Sequence, residues 1–160
     1  MSRIYTIVFN ATVTSAGGDT DWVEILPADD KPIKIRGFLI SQISEVADAA
    51  EEGLRFSLMR LPATVTGGNG TATTPVPMDS ADTAAGAACE TNATTVATTS
   101  GTAVTLMEFG WNNRNSPYEF WFPDERFAPK CKQGEGIVLR QQTTLADDMT
   151  AQCTVWIEEE

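Results

Sequence analysis

The stretch AQCTVWIEE, residues 151–159, decides the fold class of this chain. Cys153, Val155 and Ile157 recur at every second position, with polar residues or Trp156 between them. Side chains of a β-strand point alternately to the two faces of a sheet, so this spacing predicts a strand with one apolar face. A helix would instead bring apolar residues together at intervals of three and four.

Similar strand-like runs recur at short intervals along the chain. They lie at residues 5–9, 22–26, 33–43, 54–61, 102–109, 118–122 and 136–140. Turn signals rich in Gly and Asp, such as SAGGDT (residues 15–20) and KQGEG (residues 132–136), separate them. About eight short strands joined in this way predict an all-β fold. We expect residues 1–160 to form a single antiparallel β-sandwich of the jelly-roll type.

The alternation also predicts which side chains of the long third run face the core. In residues 33–43 (IKIRGFLISQI), Ile33, Ile35 and Leu39 fall on one face. Lys34, Arg36, Phe38 and Ile40 fall on the opposite face. A regular strand without interruption would keep these two sets apart over its whole length.

Little helix is expected. Residues 44–53 (SEVADAAEEG) either form two helical turns, with Ser44 as N-cap and Gly53 as C-cap, or make a polar connection between two strands. Residues 80–88 offer one further short turn of helix, although Gly86 weakens it. Neither segment changes the all-β prediction.

Residues 62–101 differ in composition from the rest of the chain. Thr, Ala and Gly dominate them, and they contain no aromatic residue. So few large apolar side chains cannot bury a separate core, and we expect a surface excursion within the single domain. Within it, residues 74–79 should be extended by their two prolines, and residues 89–92 should add an edge strand. Packing on a neighbouring subunit would account for so long an excursion.

The charge balance argues against nucleic acid as a partner. The chain has 11 Lys and Arg against 22 Asp and Glu, a formal net charge of -11, and its basic residues are scattered. Phosphate binding needs clustered cations. No apolar window of about 18 residues predicts a membrane span, and the first residues lack the apolar core of a signal peptide. We expect a protein made in a reducing cytoplasm.

The residues give no sign of an enzyme. The absence of histidine removes the most common general base and the histidine metal ligands. Acid pairs such as Asp19/Asp21 and Asp147/Asp148 lie in predicted turns and are interpreted as solvated surface acids, not as a calcium loop. Three cysteines without a CxxC motif occur at Cys89, Cys131 and Cys153. Reduced thiols are expected, with one disulfide as the alternative. No catalytic residue, metal site or cofactor is predicted.

Aromatic residues concentrate in WNNRNSPYEFWF, residues 111–122. In its strand-like part Tyr118, Phe120 and Phe122 share one face, and Trp121 lies on the other. A strand apolar on both faces is normally covered on both sides, which favours a core position combined with a subunit interface. Exposed Trp and Tyr beside Asn and Arg are also typical of sugar-binding β-sandwiches, so a carbohydrate platform is the alternative.

Several of these pieces together resemble the jelly-roll capsid decoration proteins of tailed bacteriophages, also called cement or head-stabilising proteins. The resemblance lies in YTIVFNATVT (residues 5–14), in residues 31–87 from KPIKIRGFLISQI to DTAAGA, in NATT (residues 92–95), in EFGWNNRNSPYEFWFPDER (residues 108–126), and in GEGIVLR and AQCTVWIEE. It covers nearly the whole chain. Its pieces are patterns of strands and turns and contain no catalytic signature.

The resemblance implies a virion structural protein. Such a protein is made in the host bacterial cytoplasm, forms homotrimers on the outer surface of the head, and binds the phage major capsid protein. It clamps neighbouring capsomers and stabilises the assembled shell by mass action. It needs no cofactor, nucleic acid or membrane.

Physical arguments, rather than the family, select the candidate site residues. The candidate subunit contacts are Trp111, Tyr118, Trp121 and Arg126, with Trp156 as a further interface candidate. The candidate capsid contacts are Ser2, Arg3, Ile4 and Tyr5 near the N-terminus, and Thr74, Pro75, Val76, Pro77 and Asp79 in the excursion. The alternative function is a carbohydrate-binding module or a component of a phage tail or fibre adhesin.

Overall fold

The computed structural model describes residues 2–44, 51–115 and 117–160, and these residues form strands and no helix. The strands are β1 (Arg3–Val13), β2 (Thr20–Leu26), β3 (Ile33–Gln42), β4 (Gly53–Leu61), β5 (Val65–Thr66), β6 (Thr71–Thr73), β7 (Val76–Pro77), β8 (Ala88–Ala93), β9 (Thr98–Thr99), β10 (Val104–Asn112), β11 (Tyr118–Trp121), β12 (Lys130–Cys131), β13 (Gly136–Gln141) and β14 (Met149–Glu159). The part of the chain described here therefore has no helix that is long and apolar enough to cross a membrane.

Most strands belong to two antiparallel sheets. Sheet A has the order β11-β3-β14-β1-β7, with β12 also paired to β3, and sheet B has the order β10-β4-β13-β2-β8-β6. Side chains of both sheets meet in one core, for example Tyr5 and Phe38 from sheet A with Trp22 and Phe56 from sheet B. This arrangement confirms the predicted all-β sandwich. The strand number exceeds the predicted eight mainly because the excursion contributes short strands, and the jelly-roll connectivity stays a prediction.

The predicted faces are correct for β14 and wrong for half of β3. In β14, Cys153, Val155 and Ile157 are buried in the core as the alternation predicts. In β3, Phe38 and Ile40 join Ile33 and Ile35 in the core, whereas Leu39 lies on the outer face. The register shifts between Trp156 and Ile157, which places one extra residue of β3, near Gly37, in the ladder. Such a β-bulge inverts the alternation of all residues that follow it.

Residues 62–101 pack against the sandwich along one flank. β8 pairs with β2 and carries β6 on its other side, while β7 pairs with β1. The predicted edge strand at residues 89–92 is therefore present as β8, although β6 is the outermost strand. The accessible surface of 7823 Å² is close to the roughly 7800 Å² expected for a compact monomer of this mass. The excursion is thus part of the compact body.

The turn of helix considered for residues 80–88 is absent, so that expectation was wrong. A single turn, in which the Asp82 amide donates to the Asp79 carbonyl, is followed by extended backbone. The amides of Gly86 and Ala87 donate to the buried Glu159 carboxylate at 2.8 and 3.0 Å, which holds this backbone against the end of β14. The helical alternative for residues 44–53 falls mainly on residues 45–50, which lie outside the described residues.

Buried polar groups fix the excursion to the outer face of sheet B. Arg140 Nη2 donates to Asp21 Oδ2 at 2.9 Å and to the Ala97 carbonyl at 2.8 Å, and the Ala97 amide donates to Asp21 at 2.8 Å. The interpretation of Asp21 as a solvated turn acid was therefore wrong, because its side chain is fully buried. Nearby, the Gly68 amide donates to Glu24. Burial, chiefly, raises the pKa of Glu24 to about 7.

All three cysteines are free and buried, as the prediction of reduced thiols requires. Burial raises the pKa of Cys89 and of Cys131 to about 12, and it raises the pKa of Cys153 as well. Thiols of this kind are inert structural residues, since the reactive species is the thiolate. They give the chain no nucleophile at neutral pH.

Candidate functional site

The aromatic segment at residues 111–122 divides between the core and the surface. Trp111 is only 4% exposed, and it packs edge-on against Trp22 with ring centroids 6.4 Å apart. Tyr118 is half-buried and stacks on Phe109 at 4.6 Å. Trp121, in contrast, is 48% exposed. Because a subunit contact needs accessible surface on the single chain, the expectation for Trp111 is corrected to a core role, while Tyr118 and Trp121 stay available.

Trp121 stacks on Trp156 on the outer face of sheet A. Their ring centroids lie 4.5 Å apart with an interplanar angle of 26°. The strand register explains the pair, because Trp121 on β11 and Trp156 on β14 are both direct partners of Gly37 on the intervening β3. A Cβ atom on Gly37 would lie 2.7 Å from Trp121 Cε3. Only glycine at this position leaves room for the ring to lie across the strand.

The stacked pair belongs to a wider apolar surface. The register places Glu119, Leu39, Thr154 and Val8 in the next row across the sheet, and it places Thr6 and Val76 beyond Trp156. We call this surface the aromatic face; its residues are Thr6, Val8, Leu39, Val76, Trp121, Thr154 and Trp156. Val8 is 58% exposed and Val76 is 57% exposed. Exposed apolar side chains that cluster on one sheet face are typical of an interaction surface.

Charged side chains border the aromatic face, and most are paired with one another. Arg36 lies 3.3 Å from Glu158, and Lys34 lies 2.7 Å from Glu160. The Trp121 indole donates its Nε1 proton to Glu119. An apolar centre within a polar border is the usual anatomy of a protein-binding surface.

Arg126, a candidate subunit contact, lies in the loop between β11 and β12. Its side chain is 85% exposed and forms an ion pair with Asp124 at 3.0 Å. The hydrogen bonds from Arg126 lower the pKa of Asp124. Because this pair is local and exposed, it contributes little to the stability of the chain, and its position leaves Arg126 open to a partner.

Among the residues that the structure describes, the outer face of sheet B has no comparable apolar surface. Met59 and Val138 on this face form a small apolar cluster with Ala97 of the excursion, to which Val65 and Ala103 add partly buried side chains. The excursion therefore covers the middle of sheet B. Sheet A carries no such cover among the described residues, and so the two outer faces differ in kind.

The two segments predicted as capsid contacts lie side by side at the β1 edge of sheet A. Thr6 pairs with Val76, and the Met78 amide donates to the Ile4 carbonyl at 2.9 Å. Ser2, Thr74, Val76 and Asp79 are exposed, Arg3, Ile4 and Pro77 are partly exposed, and Pro75 and Tyr5 are buried.

Tyr5 is corrected to a core residue, since it is 0% exposed and its hydroxyl donates to the Thr83 carbonyl. Pro75 is likewise buried and offers no contact surface. Arg3 is held by an ion pair with Asp82 at 3.1 Å. Val8 and Leu39 were not predicted as site residues, because only the strand register and the bulge place them beside the tryptophan pair.

No group of three or more Cys, Asp or Glu among the described residues is placed to hold a metal ion. No protein-family model, no curated protein and no solved structure matches this chain. Function is therefore inferred from the surfaces that the fold leaves uncovered.

Proposed function

We propose that this chain is a virion structural protein, a decoration protein that binds the outer surface of a tailed-phage head as a homotrimer. In this proposal it contacts the major capsid protein through the aromatic face and stabilises the junctions between capsomers. The observation that carries the proposal is the asymmetry of the sandwich. One outer face is covered by the chain itself, and the other presents a stacked tryptophan pair within exposed apolar residues.

The aromatic face suits a protein partner better than a small molecule. Small ligands need concave sites, typically of about 300–1,000 Å³, that bury most of their surface. The hollow on this face, which Val8, Leu39 and Thr154 help to line, has a volume of only about 160 Å³. Here the Trp121–Trp156 pair lies across a sheet, as the central aromatic anchors of protein interfaces commonly do. Many copies bound through this face would stabilise only the assembled shell. A partner that binds one state of the shell shifts the assembly equilibrium toward that state.

The strand order and the charge also support the proposal. Sheet A contains β1-β14-β3-β11 and sheet B contains β2-β13-β4-β10, so strands from the two ends of the chain alternate in both sheets. This is the order produced when a long hairpin wraps into a jelly roll. The net charge of -11 favours a partner with a basic surface.

The direct test is co-sedimentation of the purified protein with expanded phage heads that lack it, together with immunogold electron microscopy of virions. Trp121→Ala should lose head binding, and Thr98→Ala, an exposed position on β9 of the excursion, should keep it. Gold label over heads is expected. Label confined to the tail, or binding that survives Trp121→Ala, would overturn the proposal.

A carbohydrate-binding or adhesin role is the second candidate, because Trp121 is 48% exposed and has the Glu119 carboxylate beside it. Sugars stack on such rings and hydrogen-bond to such acids. A glycan array with the wild type and Trp121→Ala tests this role. Glycan binding that disappears in the variant, together with label at the tail tip, would favour it over the capsid role.

A further inference from the structure

One flank of the sandwich is open. β10 is the outer strand of sheet B, and β11 and β12 are the outer strands of sheet A, on the flank opposite β7 and β8. We call this flank, formed by β10, Tyr118, Phe120 and residues 122–131, the open side. We propose that copies of this chain contact one another along the open side, with β10 of one copy against the β11–β12 half of the next.

The core reaches the surface at the open side. Five large side chains here pack against the core and yet stay partly exposed, namely Met107, Phe109, Tyr118, Phe120 and Phe122. On the other flank, by contrast, the excursion crosses from sheet B to sheet A and back, because β6 and β8 belong to sheet B and β7 belongs to sheet A. The core is therefore closed on that flank and partly open on this one. A partner that covers the open side would bury further apolar surface.

Backbone groups and apolar side chains add to this surface. β10 is nine residues long, and only its β4 side is paired within the described residues. Val104 is 40% exposed and Leu106 is 36% exposed on this strand, and Phe127 is 67% exposed in the loop that joins β11 to β12. A long edge with exposed apolar residues is a template for association unless a partner occupies it.

Charge favours a second copy of this chain as the partner. Residues 98–113 contain a single charged residue, Glu108, and residues 122–131 contain two acidic and two basic residues, so these two segments together carry a net charge of -1 in a chain of net charge -11. Ser57 Oγ already donates to the Glu108 carboxylate. Two copies repel each other wherever their acidic surfaces meet, so self-contact is favoured at the part of the surface with the least net charge. A basic partner would gain more at the acidic surfaces elsewhere.

The two halves of the open side are unlike, which suits a closed ring. A two-fold dimer brings the same patch of two copies together, whereas a ring joins two different patches head to tail. β10 supplies one patch, and β11, β12 and the Phe127 loop supply the other. This inference rests on the proposed function only for the expectation of a homotrimer, and the two are tested by separate measurements.

The test is the absolute mass in solution, by light scattering after size exclusion, of the wild type, Leu106→Lys, Phe127→Lys and the control Val8→Lys. Val8 is 58% exposed on the aromatic face, which lies between Leu106 at 36% and Phe127 at 67%, and its variant introduces the same charge. We expect three times the chain mass of 17.3 kDa for the wild type and Val8→Lys. Both open-side variants should fall to the chain mass and keep the circular dichroism spectrum of a folded β-sandwich, with a lower melting temperature because the subunit contact is lost.

Three results would overturn the inference: a monomeric wild type, a wild-type mass in both open-side variants, or dissociation by Val8→Lys alone. A wild-type mass of two chains would overturn the head-to-tail arrangement. Because Phe127 lies in an exposed loop, its variant keeps the test valid if Leu106→Lys does not fold. Head binding is measured separately, by co-sedimentation. An intact trimer that does not bind phage heads would refute the proposed function without contradicting this inference.

Discussion

Substitution of Gly37 by Ala tests the geometry of the aromatic face. Gly37 lies between the two strands that carry Trp121 and Trp156, and the Trp121 ring lies across it. A Cβ atom there would lie 2.7 and 2.9 Å from two carbons of the Trp121 ring and 2.8 Å from the Phe120 carbonyl oxygen. Real Cβ atoms do not approach so closely, so the ring or the strand has to move.

The expected cost is that of overpacking, about 1–3 kcal/mol. For a domain of this size each kcal/mol lowers the melting temperature by about 2–4 °C, so Gly37→Ala should melt about 2–12 °C lower than the wild type. The stack should also be displaced, and the exciton signal that two stacked indoles give in circular dichroism should weaken. Thermal melting and circular dichroism on the same samples measure both effects.

Gly53→Ala is the matched control. It is also a strand glycine, but an added Cβ there meets nothing within 4 Å. Alanine in a strand without a clash is neutral or slightly stabilising. If Gly37→Ala melts with the wild type and keeps the exciton signal, Gly37 is not the position over which the two rings stack, and the geometry of the aromatic face is wrong.

Three further predictions concern the buried polar groups. Arg140→Leu leaves the buried Asp21 carboxylate without its cation and should lower the free energy of unfolding in urea by about 3–5 kcal/mol. Addition of Asp21→Leu should recover part of that loss. A loss below about 1 kcal/mol in Arg140→Leu would contradict a buried ion pair between Arg140 and Asp21. The Glu24 pKa of about 7 lies above its ordinary value of 4.5, so the folded chain binds an extra proton between these two pH values. The free energy of unfolding should therefore fall by at most about 3 kcal/mol as pH rises from 4.5 to 7. Glu24→Gln should flatten this slope, and an equal slope in the variant would show that Glu24 is not its source. The three buried thiols should resist a thiol reagent at neutral pH and all react after denaturation, whereas rapid labelling of the native chain would show that a thiol is accessible.

The sequence predicts the fold class because a strand needs only local information. Alternation at positions 153, 155 and 157 is visible without any partner, and so are the Gly- and Asp-rich turns. The bulge at Gly37 is not visible in this way. It depends on the pairing of β3 with β14, and its effect is to send Leu39 outward and Phe38 inward.

The candidate site was predictable only in part, for the same reason. Trp121 was identified from its segment, but its stacking partner Trp156 lies on a strand distant in sequence, and the register alone brings them together. Trp111 was assigned to an interface because aromatic residues suit both cores and interfaces. Burial, which separates these two roles, is a property of the assembled sandwich.

The small-residue composition of the excursion has a structural cause that also explains why the functional surfaces lie where they do. A Cβ atom on Gly70 would lie 2.9 Å from the Thr91 carbonyl oxygen, and one on Gly68 would collide with the Thr95 carbonyl. Backbone therefore packs directly against backbone here, which large side chains would prevent. By lying this close, the excursion covers sheet B and closes the β1–β2 flank. The aromatic face, to which the excursion contributes only Val76 at one edge, and the open side are the surfaces that it leaves uncovered. The exposed tryptophan and the neutral edge strand lie on these two surfaces, as expected if one binds a different protein and the other binds a further copy of this chain.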